Sequence, residues 1–551
     1  MHARLVNHLT KHFITGTAVF MAFLASSFAQ YSGWRYSGSV HLLTTLEGAN
    51  LQSSASVDGF PILLRLHKDS FPFSQAKPQG EDLRFSSATG KPLAYQVEQW
   101  EPSAGIASIW VRLPTIQGNA RQAIRVHWGM ADAASESNPK AVFNESNGYA
   151  SVWHMTDPVV DDAGGTDTKD QGTTSSQGVI GQARHLAGKQ GIFGGDKITT
   201  YPTGTGPMTT EAWFRAGQTN GTVLAWGEEK RPSKVMFNFL SPPRMAIQCY
   251  FADVEANTPL ATNQWYHVVH TYSDKDSRVY VNGVLDGTST PVLDMPATSR
   301  LWIGGWYNNY NFVGDIDEVR ISKVVRSADW VKLQYENQKP MQTLVGPLVQ
   351  QGDAFAVSPA AATVPEGKSV TFTAKAGGAQ KIYWILKRDG GESVVATDRF
   401  AFTLDAGRVT GDESATLVFK AVYPNEVKTR EIPIKINEDI PEPVFTLKSP
   451  SAWDGRSTIA VVPQLTNLAA IQAKGAGDVK IDWKISGMAV IKETVPGKMI
   501  LTRAQNSGKL SVTATLSNGG KAVTQGAVIA VTEPASDPWV VRMPDKDEQP
   551  V

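Results

Sequence analysis

The sequence predicts an all-β, multi-domain protein, and three observations carry that expectation. The runs W-Y-H-V-V-H-T-Y from Trp265, V-Y-V-N-G-V-L from Val279 and V-G-D-I-D-E-V-R-I-S from Val313 follow one another as strand-forming segments. In the middle run Asn282-Gly283 is the dipeptide that tolerates the two positive φ angles of a type I′ hairpin turn. Next, 48 glycines and 31 prolines accompany few amphipathic helical periods, a composition that favours short strands joined by turns. Finally, K-I-Y-W ending at Trp384 recurs as K-I-D-W ending at Trp483, 99 residues on, a spacing that fits one small β-sandwich per repeat.

At 551 residues the chain exceeds one hydrophobic core and should divide into roughly three to five domains. Lysine plus arginine equals aspartate plus glutamate, 52 against 52, so no net field recruits nucleic acid or an anionic membrane. The start reads as a signal peptide over residues 1–29: Arg4 and Lys11, an apolar stretch at 13–24, and the small-x-small site Ser27-Phe28-Ala29. That stretch is shorter than the ~20 apolar residues of a membrane span, and no later segment is apolar for long enough. The expectation is an exported protein of the periplasm, the cell surface or the medium. Cys249 is the only cysteine, which excludes an intrachain disulfide, and its setting in M-A-I-Q-C-Y-F reads as a small core residue.

Four segments and a tail can be cut. A β-rich module spans 30–147, with F-P-I-L-L-R-L, I-W-V-R-L and I-R-V-H-W as strands, and a second segment spans 148–350. Segments 351–439 and 440–534 carry Trp384 and Trp483, each expected in the third strand of an immunoglobulin-like sandwich without the cysteine pair. Proline-rich joints at Pro441-Glu442-Pro443 and Glu533-Pro534 close them, and the charged tail 535–551 reads as flexible.

The second segment resembles the LamG-like, concanavalin-type jelly roll. The resemblance rests on G-V-I-G-Q-A-R-H-L-A-G from Gly178, M-T-T-E-A-W-F from Met208, the run from Trp265, the Asn282-Gly283 hairpin and G-D-I-D-E-V-R-I from Gly314. The first segment is similar to the domain of unknown function 2341, through G-E-D-L-R-F from Gly80, Y-Q-V-E-Q-W from Tyr95, I-W-V-R-L-P from Ile109 and S-V-W-H-M from Ser151. Relatives of this architecture accompany proton-driven biopolymer-transport machinery, which implies an envelope partner as one reading.

The jelly-roll resemblance implies one structural calcium ion held by Asp196 and Asp317, although Leu186-Ala187-Gly188 stands where the family pattern has F-D-G. The alternative is that Asp317 caps backbone amides while Glu318 pairs with Arg320. The run W-I-G-G-W-Y-N-N-Y-N-F suits a glycan, because ring faces stack on sugars and amides bond their hydroxyls; Trp306, Tyr307, Asn308 and Tyr310 are the candidate ligand-binding residues.

Catalysis is not expected. Glycosidases of this general shape alternate acids as E-x-D-x-E; here Asp315 and Asp317 share a face in a regular strand, while Glu318 points away and completes no pattern. Ile316 and Val319 then fall on opposite faces, so either both faces are covered or a bulge sits near Asp317. His267 and His270 are three apart in a strand and cannot share a ligand. The expected function is therefore a non-catalytic carbohydrate or envelope-polysaccharide binder. An envelope scaffold is the alternative, and a polysaccharide-active enzyme comes behind both.

Overall fold

The computed structural model describes residues 30–307 and 309–532, so the expected signal peptide, the tail and the candidate ligand residue Asn308 lie outside the described residues. Strands dominate every segment, and no described helix is long and apolar enough to cross a membrane.

In the first module, Tyr36–Leu43, Arg121–Trp128 and Arg84–Ser87 form one three-stranded sheet, and Pro61–His67, Ile106–Arg112 and Tyr95–Glu101 form another. Their apolar residues, with Phe60, Trp110 and Phe143 among the largest, build one core. That core is not closed by residues 30–147 alone. Trp330, Leu333, Leu344, Val345 and Leu348 belong to it as well, and Leu42 bridges to Val345. The helix Ala328–Gln338, which Ser327 caps by accepting from Trp330 N, and the segment after it thus return from the second module to complete the first.

The second module is a two-layer sandwich. One sheet runs in the order Thr174–Gln177, Gln182–Ala187, Val313–Ser322, Met208–Ala216, Trp265–Ser273, Asp276–Val281, Val284–Ser289, with Tyr149–Trp153 also paired to Val313–Ser322. The other is seven-stranded: Lys169–Asp170, Ile192–Phe193, Arg300–Ile303, Gly221–Gly227, Lys234–Phe239, Met245–Gln248, Val254–Glu255. Leu224, Trp226, Phe237, Val268, Ile316 and Val319 fill the space between them. Asn282 and Gly283, at φ 49° and 80°, form the hairpin tip, with Val281 opposite Val284. Gly283 also admits the helix: a Cβ there would lie 2.9 Å from Tyr335 Cβ.

The acidic strand resolves both of the alternatives read from its pattern. Glu318 has φ 49°, and the register passes from Glu211 opposite Arg320 to Trp213 opposite Asp317. This bulge sets Ile316, Val319 and Ile321 all into the core, and every residue from Gly314 to Ser322 is buried. Both faces are therefore covered. His267 and His270 lie on opposite faces, one stacked 5.1 Å from the Trp213 ring and the other bonded to Ser277 Oγ at 3.0 Å. Burial pushes both down to about 3, which keeps them neutral packing residues.

Two further sandwiches follow. Trp384 is wholly buried in the third module's core, on the strand Lys381–Arg388 between two neighbours of a five-stranded sheet. Trp483, on the edge strand Lys480–Ser486, is only partly buried, whereas Trp453, on the opposite edge strand Ala452–Trp453 of the same sheet, takes the buried position. The third module is docked on the first: Asp69 Oδ2 accepts from Phe400 N at 2.7 Å and Ala401 N at 3.1 Å.

Candidate functional site

Alternation along Lys234–Phe239 sends Val235, Phe237 and Phe239 inward and leaves Met236 and Asn238 on the outer face of the seven-stranded sheet. Thr222 stands opposite Asn238, and Gln248 opposite Met236. Thr222 Oγ1 donates to Asn238 Oδ1 at 2.7 Å, Asn238 Nδ2 donates to Gln248 Oε1, and Asn311 Oδ1 accepts from Thr222 N at 2.9 Å. Together with Asn220, Asn309 and Trp306 these side chains line a groove of about 310 Å³ that contains no charged residue.

Trp306 reaches the groove from the hairpin of Gly305–Trp306 and Asn309–Tyr310, whereas Tyr307 is not among the lining residues. The Trp306 indole Nε1 donates to Glu229 Oε2, and its ring meets Trp302 and Tyr307 edge-on at 5.0 and 4.7 Å. Lys234 Nζ lies 5.5 Å from its centroid. Tyr307 is partly exposed, whereas Tyr310 is buried against Gly191, where a Cβ would come within 2.1 Å of its ring. Tyr310 is therefore a packing residue rather than a ligand-binding one: alternation in the short strand turns Asn309 outward and Tyr310 under. Sequence reasoning missed Thr222, Asn238 and Gln248, although the polar residue between Phe237 and Phe239 was the available signal.

The expected calcium pair does not converge. Asp196 is exposed beyond the strand Ile192–Phe193 of the seven-stranded sheet, while Asp317 is fully buried on the outer side of the opposite sheet. Asp317 Oδ2 accepts from Val179 N at 2.8 Å and Ile180 N at 3.1 Å, and Oδ1 accepts from Glu318 N at 2.9 Å. Its oxygens are spent on backbone amides, and the two residues do not fit a shared calcium. Asp315 is likewise tied, to Arg215 at 2.9 Å and to Ser176 and His185 at 2.8 and 3.0 Å.

Turned outward by the bulge, Glu318 enters a buried network at the junction with the first module. His154 Nδ1 lies 2.7 Å from Glu318 Oε1 and 3.5 Å from Glu98 Oε2; His154 Nε2 lies 3.3 Å from Gln96 and Asp162 oxygens. Arg320 pairs with Glu318 and sits 4.6 Å over the Trp110 ring, whose Nε1 donates to Glu98 at 2.6 Å. Burial alone would lower His154, but the carboxylates of Glu318 and Glu98 outweigh it and hold the imidazole at about 9. Burial lifts Glu98 to about 7, and lifts Asp317 well above the usual carboxylate range; Glu318 stays low because His154 and Arg320 overcome its desolvation. The ligand atoms of Glu98, His154 and Glu318 lie within 4.8 Å of one another, the spacing a metal would need. With Arg320 on Glu318 and a proton on His154, the charges already balance as a closed ion network.

The geometry defines a two-sheet jelly roll bearing a polar groove. Residues 193–332 match the family model described as the concanavalin A-like lectin/glucanases superfamily, and residues 79–154 match the domain of unknown function DUF2341. No curated protein matches the chain. Among solved structures, domain 4 of an extracellular arabinanase from Geobacillus stearothermophilus, in complex with arabinotriose, is 19% identical, with 34% of this chain and 97% of that one covered and a TM-score of 0.29. The binding domain of Paraclostridial mosquitocidal protein 1 is 11% identical, covering 67% of this chain and 87% of that one at a TM-score of 0.30. Botulinum neurotoxin type C, whose cell entry depends on two ganglioside molecules, is 10% identical, with 69% and 93% covered and a TM-score of 0.30.

Proposed function

We propose that the chain is an exported, non-catalytic carbohydrate-binding protein whose jelly roll takes a neutral glycan in the groove beside Trp306. One observation carries the reading: an indole and a row of amide and hydroxyl side chains line the same uncharged groove. Sugar rings offer an apolar face to an aromatic and hydroxyls to amides, and an uncharged lining gives an acidic sugar no cation to meet. The match to a superfamily described by its lectins and glucanases agrees with it. The two terminal sandwiches then act as spacers or as a second interaction surface. A glycan array tests the proposal. The full chain should bind a subset of neutral glycans, and Trp306→Ala combined with Asn238→Ala should abolish that binding without shifting the melting temperature. A wild-type protein that binds no glycan on the array would overturn the reading in favour of an envelope scaffold.

A further inference from the structure

A cavity of about 670 Å³ opens where the first module, the jelly roll and the third module meet. Its volume lies within the range of small-molecule sites, which concentrate at domain junctions. Three permanent cations line it, Arg65, Lys68 and Arg399, against two carboxylates, Asp69 and Asp398. Asp69 is already engaged, and Asp398 is tied through one oxygen while its Oδ1 meets no donor among the described residues. Asp69 accepts from Phe400 N and Ala401 N and pairs with His67 at 2.8 Å, and Asp398 Oδ2 pairs with Lys381 at 2.5 Å.

Arg65 has no such partner. Nη1 donates to Asn337 O at 3.0 Å and Nη2 to Gln338 O at 2.5 Å and Val179 O at 3.5 Å, so the guanidinium is held by carbonyls alone. Among the described residues no carboxylate pairs with it, and Nε meets no protein acceptor. A half-buried guanidinium with carboxylates nearby but none in direct contact, and with donors left over at a cavity wall, has the fork geometry that carboxylates and phosphates take up. The wall that holds it is itself fixed, because Asp317 pins the 179–180 amides and Arg65 the Val179 carbonyl of the same turn.

We propose that this three-module cavity is a second binding site, for a compact ligand that places a carboxylate or phosphate group on Arg65. Lys68 and Arg399 at the exposed rim draw the anion in. The desolvated setting, which brings Arg65 down to about 10, agrees with a cation short of compensation. The site is separate from the groove at Trp306 and independent of what that groove binds.

Calorimetry on the full chain tests it with three probes: inorganic phosphate, digalacturonate and maltose. Phosphate or digalacturonate should bind one to one, weaken as salt rises, and be unaffected by Trp306→Ala; which of the two binds identifies the oxyanion. Arg65→Gln should weaken that binding by about tenfold or more. If Arg65→Gln does not fold, Arg399→Glu, whose only ion pair among the described residues is a 3.6 Å contact to Asp69, should weaken it by about tenfold with an unchanged melting temperature. Neither anion binding more tightly than maltose would overturn the proposal, as would unchanged affinity in whichever of these variants folds.

Discussion

Raising the pH from 6.5 to 9.5 should loosen the junction between the first module and the jelly roll, because it removes the proton on which the buried ion network depends. His154 sits at about 9 in the folded chain against an ordinary 6.5. A group raised on folding contributes stability that is full below its unfolded value and is lost as pH climbs through the folded one. A rise of about 2.5 units at ~1.36 kcal/mol each comes to about 3 kcal/mol, lost between pH 6.5 and 9. Glu98, raised to about 7 from 4.5, has the same sign in a lower window, from 4.5 to 7. Glu318, which is lowered, acts oppositely and weakens the junction only as pH falls below 4.5. Urea denaturation at pH 6.5, 7.5, 8.5 and 9.5 measures the loss. The His154 ring resonances, assigned by their absence in His154→Gln, report the titration directly. A midpoint at or below 6.5, or a denaturation free energy flat across the interval, would refute the argument.

Two other consequences are open to measurement. Trp384→Ala should cost about 3–5 kcal/mol in urea denaturation, and Trp483→Ala clearly less, because the first is wholly enclosed and the second only partly buried; equal losses would contradict the difference in burial. Cys249 is fully buried and its thiol is pushed up by burial and Asp253, so thiol reagents should leave the folded chain unmodified and react on denaturation. Rapid labelling of the folded chain would show otherwise.

The strand-turn pattern was legible wherever local chemistry decides it. Asn282-Gly283 announced its hairpin because few other dipeptides accept two positive φ angles. The clash between Ile316 and Val319 left two readings open, covered faces or a bulge near Asp317, and the strand has both. What stayed hidden depends on pairing between distant segments. Nothing in V-W-H-M says that His154 will meet Glu318, 164 residues away; for Asp317 the alternative to a calcium ligand, a cap on backbone amides with Glu318 on Arg320, is the arrangement present, but which amides it caps was not legible. Of the residues picked out by composition, Trp306 borders the groove and Tyr307 lies outside its lining, and Tyr310 is buried because a two-residue strand places alternate neighbours on opposite sides. The Trp384 and Trp483 repeat was visible, yet the difference in burial between the two rings was not.

The return of residues 330–348 into the first module's core has a practical meaning for anyone cutting the gene. A fragment ending near 147 would expose the apolar surface that Trp330, Leu333 and Leu344 normally cover, and one beginning at 148 would carry those same side chains without a seat. On the ribosome, too, the opening module must wait for some two hundred further residues before its interior can shut, so these two units form a single obligate whole.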